Sequence, residues 1–369
     1  MIRKTLAAAV LLAAVSCARS QENTPPVRLA IVGLVHDHVV GMLPELARRQ
    51  DVRLVGIVEP NQDAVARYAE RFNLDRALFF PSIEALVARE KVDAVAAFTS
   101  TFDHRRVVET CAPLGIDVMM EKPLAVSLEH ARAIAAAAAR GGIQVIVNYE
   151  TTWYPSNHSA YDVVHAQHSI GDLRKIVVCD GHQGPIAIGV SPLFASWLLD
   201  PVLNGGGALM DFGCYGADLA TWLMEGQRPT SVFAVTQNLQ PGAYPRVEDE
   251  ATIVLTYPRA QAIIQASWNW PHGRKDMEIY GQKGALRLPG RDSLFMRIGD
   301  SPEVRLATPA LSGPDADPLS YLVAVVRGRV RPSGPSSLEV NMIVSEILDA
   351  ARESSRTGKR IDLGDNPLR

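Results

Sequence analysis

Lys122 ends an apolar strand, Met119-Met120-Glu121-Lys122-Pro123, so its ammonium projects from the strand's carboxyl end. A lysine there can be desolvated and hold a substrate hydroxyl, and Pro123 fixes the backbone around it. A second group of chemical interest follows the first strand, Gly33-Leu34-Val35-His36-Asp37-His38. A dinucleotide turn would carry glycines at 33, 35 and 38, and only Gly33 is present. Val35 keeps the backbone farther from a pyrophosphate, and His38 replaces the residue that lets helix and strand pack closely. Glu59, 26 residues beyond Gly33 at the end of the second strand, restores the reading. A carboxylate there accepts both ribose hydroxyls and repels a 2′-phosphate, which predicts NAD over NADP. His36 and His38 flank Asp37 but no third ligand follows at helical spacing, so imidazoles near a diphosphate are expected and no metal site. His165 and His168, at i and i+3, read as a solvated helix face.

Positioning these groups falls to elements that the hydrophobic period marks out. Val27 to Gly33 is a continuous apolar strand, and from Val39 the pattern turns helical through Ala47. Apolar strands recur at Leu54 to Val58, Ala94 to Phe98, Asp117 to Met120 and Gln144 to Val147. Helical stretches over 63–72, 83–88 and 104–114 separate them, and Ser127 is an N-cap candidate for another. Alternation with short connections, and strands apolar on both faces, predicts a doubly wound parallel sheet whose ligand crevice lies at the strands' carboxyl ends. After Asn148 the texture changes. Ala251 to Tyr257, Ala262 to Trp268 and Asp276 to Tyr280 alternate with period two, turning at Pro258-Arg259 and Pro271-His272-Gly273, and read as hairpins. A closing helix over 338–355 stops at Gly358. The expected chain is α/β: a Rossmann domain over 25–148, then over 149–369 an α+β domain with a large, mostly antiparallel open sheet.

Composition excludes other classes. With 369 residues, 47% hydrophobic and 21% charged, a net charge of −3 and no basic stripe, the chain suits two globular domains and not a nucleic-acid partner. Cys17, Cys111, Cys179 and Cys214 have no metal-ligand spacing and make no disulfide scaffold. Arg3-Lys4, the apolar run Leu6 to Val15 and Ser16-Cys17 read as a signal peptide. Such a run spans about 15 Å as a helix, half of a bilayer core, and cannot cross it. Ala14-Val15-Ser16-Cys17 is similar to the lipobox of bacterial lipoproteins, so residues 1–24 predict signal, acylated Cys17 and linker. The address is periplasmic, with membrane contact only through that lipid. Arg3-Lys4 is not a twin-arginine signal, so the chain would cross unfolded and capture any dinucleotide outside the cytoplasm.

Glu121-Lys122-Pro123 followed by Leu124-Ala125 resembles the Gfo/Idh/MocA oxidoreductases. Phe98-Thr99-Ser100-Thr101-Phe102-Asp103-His104 is similar to their Thr-Pro-Asn-x-x-His turn, with Ser100 and Thr101 replacing the usual pair. Gly205-Gly206-Gly207 through Asp211-Phe212-Gly213-Cys214-Tyr215-Gly216-Ala217-Asp218 resembles their Gly-Gly-Gly … Asp-x-Gly-x-His-x-x-Asp segment. Gly281 to Leu286 and Ser354 to Leu363 match later landmarks, so the resemblance covers about Val27 to Leu363.

The resemblance implies that a strand-end Lys and an Asp-x-x-x-His pair surround the carbon that exchanges hydride with nicotinamide. Carried over, these are Lys122, Asp211 and Tyr215, the last replacing the family's His. Some members, resembling glucose–fructose oxidoreductase and dihydrodiol dehydrogenases, also carry Tyr there. Spacing of four puts Asp211 and Tyr215 on one helix face. A phenol of pKa about 10 serves as a base near neutral pH only beside a cation, which Lys122 would supply. The resemblance further implies NAD contacts from Gly33, Val35, His36, His38, Glu59, Thr99, Ser100, His104, Glu121 and Lys122. It turns Tyr149, Trp153, Tyr154, His158, His182, Trp197 and Asp211 toward the substrate, where aromatic faces suit sugar rings. Trp268 and Trp270, at the end of a strand, are expected in a cleft or a subunit contact. The family's dimerisation through this sheet implies a homo-oligomer.

The function expected is an exported, NAD-dependent oxidoreductase acting on a secondary hydroxyl or ketone of a sugar, glycoside or cyclitol. Two rivals remain. One is a glycosidase that uses retained NAD to oxidise C3, eliminate the aglycone and reduce again. The other is a non-catalytic sugar-binding lipoprotein, to which the missing glycines and Tyr215 point.

Overall fold

The computed structural model describes residues 25–364; the signal segment and Cys17 lie outside them. Six parallel strands form the first sheet: β1 (Val27–Val32), β2 (Val52–Val58), β3 (Phe79–Phe80), β4 (Ala94–Ala97), β5 (Asp117–Glu121) and β6 (Val145–Asn148). They stand in the order β3-β2-β1-β4-β5-β6. Helices α1 (Val39–Arg48), α2 (Gln62–Phe72), α3 (Ile83–Val87), α4 (His104–Cys111) and α5 (Leu128–Gly141) alternate with them and explain why the strands are apolar on both faces. Asn61 caps α2 by accepting from the Asp63 and Ala64 N–H groups, and Ser127 caps α5 through the His130 N–H. The expected strands are all present. The two-residue β3 is too short for periodicity to report.

Register decides what the sheet presents. Val32 pairs with Val58 on one side and Ala97 on the other, Ala97 pairs with Met120, and Glu121 pairs with Asn148. Gly33, Glu59, Phe98, Glu121 and Asn148 therefore leave the sheet along one edge. The crevice opens there, where the strand order reverses between β1 and β4.

The second sheet has nine strands: β7 (Leu173–Gly181), β8 (Ser231–Gln237), β9 (Glu250–Thr256), β10 (Gln261–Ser267), β11 (Arg274–Gly281), β12 (Gly284–Gly290), β13 (Ser293–Ile298), β14 (Val304–Leu306) and β15 (Ile361–Asp362). Their order is β14-β13-β12-β11-β7-β10-β9-β8-β15. β9 and β10 make the expected hairpin, with Thr256 opposite Gln261. β10 and β11 do not. β7 lies between them, parallel to β10 and antiparallel to β11, so the Pro271-His272-Gly273 turn joins strands that are not neighbours. A turn sequence is local and carries no information on a strand inserted from far along the chain.

Helices α6 (Pro155–Tyr161), α7 (Pro192–Leu198), α8 (Ala208–Asp211), α9 (Gly213–Leu223), α10 (Pro318–Val326) and α11 (Leu338–Thr357) complete the fold. α9 packs so closely on β10 that a Cβ at Gly216 would lie 2.4 Å from Ile264 Cγ2. α10 follows the second sheet in sequence, yet buries Leu319, Tyr321 and Leu322 in one core with Leu29, Ile31 and Val39 of the first. Packing thus returns 318–326 to the first domain. His165 and His168 do not form the expected solvated face. The helix widens into a π turn over Asp162–Ala166, where His165 Nε2 meets Leu223 O at 3.0 Å and its ring packs, tilted by 43°, against Tyr161, while His168 adopts a left-handed φ of 52°.

Candidate active site

β5 ends in Glu121, which delivers Lys122 into the space above α8. Lys122 Nζ donates to the Asp211 main-chain oxygen at 3.0 Å and is ion-paired with the Asp211 carboxylate. Trp268 Nε1 donates to the other carboxylate oxygen at 2.9 Å. Both charged side chains are 6% exposed. Burial alone would neutralise each, but the Asp211 charge outweighs it and holds the Lys122 ammonium above its ordinary value. Burial likewise works against the Asp211 charge, and Lys122 reverses it, holding that carboxyl below the usual range. Two of the three ammonium protons are spent on Asp211, which leaves one for a ligand.

Tyr215, one turn into α9, lies beneath this pair. Lys122 Nζ is 5.2 Å from its ring centroid, Lys275 Nζ is 4.1 Å away, and the Tyr149 ring meets it edge-on at 5.3 Å. The expectation that Lys122 would lower the phenol's pKa is overturned. The ammonium sits over the ring with its charge engaged by Asp211, and burial pushes the phenol well above its ordinary value. The Tyr215 phenol therefore keeps its proton in the resting site.

Lys275 and Glu150 escaped the sequence reading. Lys275 Nζ binds Glu150 Oε2 at 2.5 Å, and Tyr154 O–H donates to Glu150 Oε1 at 2.6 Å. No motif places Lys275 near Lys122; only the insertion of β7 beside β11 does. On β7, opposite Lys275, stands Asp180, fully buried, with no partner for either carboxylate oxygen. Burial lifts its carboxyl from an ordinary 3.8 to about 7. Between these values the native state holds a proton that the unfolded chain has lost, so stability falls as pH rises across the window. Asp180→Asn should abolish that fall: thermal melts at pH 5 and pH 8 should show the variant gaining on the parent at the higher pH, and a constant gap would refute it.

Lys122, Glu150, Asp211, Tyr215 and Lys275 border a cleft of about 650 Å³, with Asp37, His38, Tyr154, His182 and Arg274 completing its polar wall. Its formal charges balance, Lys122, Lys275 and Arg274 against Asp37, Glu150 and Asp211. His182 Nδ1 accepts the Gly184 N–H at 2.9 Å, so the neutral ring carries its proton on Nε2, and burial holds the imidazole below its ordinary value.

A second cavity, about 230 Å³, is lined by Gly33, Val35, Glu59, Thr99 and Arg106 among others. Gly33 has φ 84°, and a Cβ there would lie 2.7 Å from Thr99 Cγ2. Glu59 accepts from Leu34 N at 2.9 Å and Asn61 N at 2.8 Å, one on each oxygen, which leaves lone pairs for ribose hydroxyls. Between the cavities the turn has few free backbone donors, since Val35 N and His36 N both donate to Phe98 O. The unspent donor is His36 Nε2, buried and unpartnered, and protonated because Nδ1 accepts the His38 N–H at 3.3 Å. This donor set fits a dinucleotide: a carboxylate at the ribose end and an imidazole N–H toward the diphosphate. A third residue of metal-ligand type, Glu121, comes alongside from β5, far outside the spacing of the turn. Glu121 Oε2 is 2.9 Å from His38 Nδ1, and His36, His38 and Glu121 place ligand atoms within 4.8 Å of one another. His36 Nδ1 already accepts the His38 N–H, His38 Nδ1 is engaged by Glu121 and the Lys122 charge lies nearby, so the three groups are tied to one another and do not converge on an open cation position.

Several expected contacts fall elsewhere. Tyr149 is buried and donates to Asn341 Oδ1 at 3.0 Å, because β6 aims it into the core under Tyr215. Trp153 and His158 turn away from the cleft, the first donating to Asn148 Oδ1 at 2.9 Å and the second meeting Thr152 O at 2.8 Å. Ser100 spends its hydroxyl on Asp103, and His104 Nδ1 holds the carbonyls of Pro123 and Leu124, so both shape turns and line neither cavity. Trp197 lies on the β1–α1 turn, with Nε1 donating to Val35 O at 3.0 Å, and Ser191 N donates to Asp37 Oδ2 at 2.7 Å. Trp268 is buried behind Asp211, and Trp270 stacks against the Arg274 guanidinium at 4.3 Å.

Two family models match the chain. One, an oxidoreductase family with an NAD-binding Rossmann fold, covers residues 27–149; the other, the GFO/IDH/MocA C-terminal domain, covers 162–287. Trans-1,2-dihydrobenzene-1,2-diol dehydrogenase of Xenopus laevis is 25% identical over 239 residues, 65% of this chain and 68% of the relative. The aldose-aldose oxidoreductase of Caulobacter crescentus, solved with glycerol, superposes with TM-score 0.76 at 22% identity, covering 92% of this chain and all of that one. An inositol dehydrogenase homolog of Azotobacter vinelandii, solved with NAD+, gives TM-score 0.79 at 20% identity over 92% of this chain and 98% of its own.

Proposed function

The chain belongs to the Gfo/Idh/MocA oxidoreductases with an NAD-binding Rossmann domain, and from that premise we propose that it oxidises or reduces an uncharged sugar, glycoside or cyclitol at a secondary carbon. The observation that carries this reading is the buried Lys122–Asp211 pair, which opens with one free ammonium proton on a cleft of balanced charge. NAD, when bound, supplies the hydride acceptor or donor. Lys122 holds the reacting oxygen and the proton that accompanies the hydride, while Asp211, oriented by Trp268, keeps Lys122 charged. Tyr215 offers its O–H as a second donor to that oxygen. Glu150, His182 and Lys275 are left to bind neighbouring hydroxyls.

The balance of charge argues against a phosphorylated or carboxylated substrate. Lys122 and Lys275 each face a carboxylate, and both arms of the Arg274 fork are committed to Asp276 at 2.8 and 2.7 Å. The names of the relatives, a diol dehydrogenase, an aldose-aldose oxidoreductase and an inositol dehydrogenase homolog, support the hydroxyl-bearing class. Assay of a panel of neutral polyols and their phosphate or uronate counterparts, read by nicotinamide absorbance, should show turnover confined to the neutral compounds. Preference for the charged members would overturn the assignment.

A second reading, redox-neutral chemistry on retained NAD, draws support from the contact of Trp197 and Phe194 with the β1–α1 turn. Val35 borders one cavity and Phe194 the other, so a dinucleotide spanning both would be covered by α7. Release of free sugar from a glycoside without added NAD separates this reading from the first. Both readings include export, a lipid on Cys17 and self-association through the second sheet, where Phe233 and Val235 of β8 stand exposed.

A further inference from the structure

The short turn Glu150–Trp153 divides two spaces. Glu150 faces the catalytic cleft, whereas Thr152 and Trp153 line a separate cavity of about 630 Å³ behind it. The wall of this cavity is aromatic. Trp222 stacks on Tyr161 at 4.6 Å with planes 8° apart, His158 meets Trp222 at 5.4 Å, and Trp153 meets Tyr321 at 5.6 Å.

The polar groups of the wall are asymmetric. Its donors are largely committed: Trp153 Nε1 to Asn148 Oδ1, His158 Nε2 at Thr152 O, and Tyr321 O–H to Ser333 O. What remains includes two hydroxyls, each able to accept as well as to donate. Thr152 Oγ1 and Ser336 Oγ are buried without a hydrogen-bond partner, in residues 6% and 1% exposed. The acidic residues Glu225, Asp315 and Glu339 line the same cavity, and among the described residues no Lys or Arg lines it. Glu339 is already served by the N-terminal turn of α11, and Glu225 has His165 Nδ1 at 3.7 Å; Asp315 is exposed. Aromatic faces, acceptor oxygens and excess negative charge in one concave space all favour a ligand that is positively charged and donates hydrogen bonds.

We propose that this cavity is a second ligand site, distinct from the catalytic cleft, that takes a small organic cation: an ammonium group on an apolar or sugar-like body. Aromatic faces hold the body and the charge, the carboxylates attract it, and the buried hydroxyls accept its remaining polar hydrogens. Trp153 and His158, which do not reach the cleft, have their role here.

Choline chloride titrated into the full chain, read by tryptophan fluorescence, tests this directly, with 3,3-dimethyl-1-butanol as the uncharged isostere. Saturable choline binding about tenfold tighter than that of the isostere is expected. Glu225 and Asp315 are exposed, so the double change Glu225→Gln and Asp315→Asn leaves folding intact and should weaken choline binding about tenfold. Trp222→Leu, checked for native circular dichroism, should abolish it. The proposal is overturned by absence of saturable binding, by equal binding of the isostere, or by choline binding that survives the double change.

Discussion

Lys122→Met should lower kcat about a thousandfold while leaving NAD affinity within a small factor of the parent's. The substitution keeps an unbranched side chain one atom shorter but removes the N–H that faces the reacting oxygen. It also strands Asp211, which is buried and would keep only Trp268 as a partner. An unpaired buried carboxylate costs about 3–5 kcal/mol, so the single variant should also melt earlier. Loss of activity through unfolding and loss through chemistry are separated by Lys122→Met combined with Asp211→Asn. The pair removes both charges together and should recover most of the stability, but none of the turnover. NAD binding by calorimetry supplies the third measurement. A single variant that turns over normally would end the assignment of Lys122.

Tyr215→Phe should lower kcat about a hundredfold with little change in melting temperature. The ring, which lies between Lys122, Lys275 and Tyr149, is retained, so its packing and its contacts with the two ammonium groups survive. Only the donor is lost. Because burial holds the phenol well above its ordinary value, Tyr215 stays protonated across neutral and mildly alkaline pH. The pH–rate profile of the parent should therefore show no alkaline limb from this group near neutrality. Equal rates for parent and variant would make Tyr215 a packing aromatic and leave Lys122 as the sole donor.

The sequence disclosed the parts of the site that depend on local signals. Gly33, Glu59 and Lys122 each follow a continuous apolar strand, and parallel register brings the ends of such strands to one edge. Asp211 and Tyr215 come from one short segment, but the helix breaks at Phe212, so Asp211 ends α8 and Tyr215 opens α9 and the two do not share the single helix face that their spacing predicts. Lys275 was invisible because its approach depends on β7 standing between β10 and β11, a pairing written in no turn or period. The aromatic residues after Asn148 show the other limit. Tyr154 reaches the cleft while Trp153 and His158 face the opposite way, since a tight turn changes direction within a few residues and an aromatic side chain fits core, cleft or second cavity equally well. Spacing along one segment likewise does not see Glu121, which arrives from another strand beside His36 and His38.

The return of α10 to the first sheet has a mechanical meaning. Its buried Leu319, Tyr321 and Leu322 complete the core of the first domain, so residues 25–148 expressed alone would bare a greasy flank. Gene dissection at the apparent midpoint would strip the first fragment of this cover and leave it prone to aggregate.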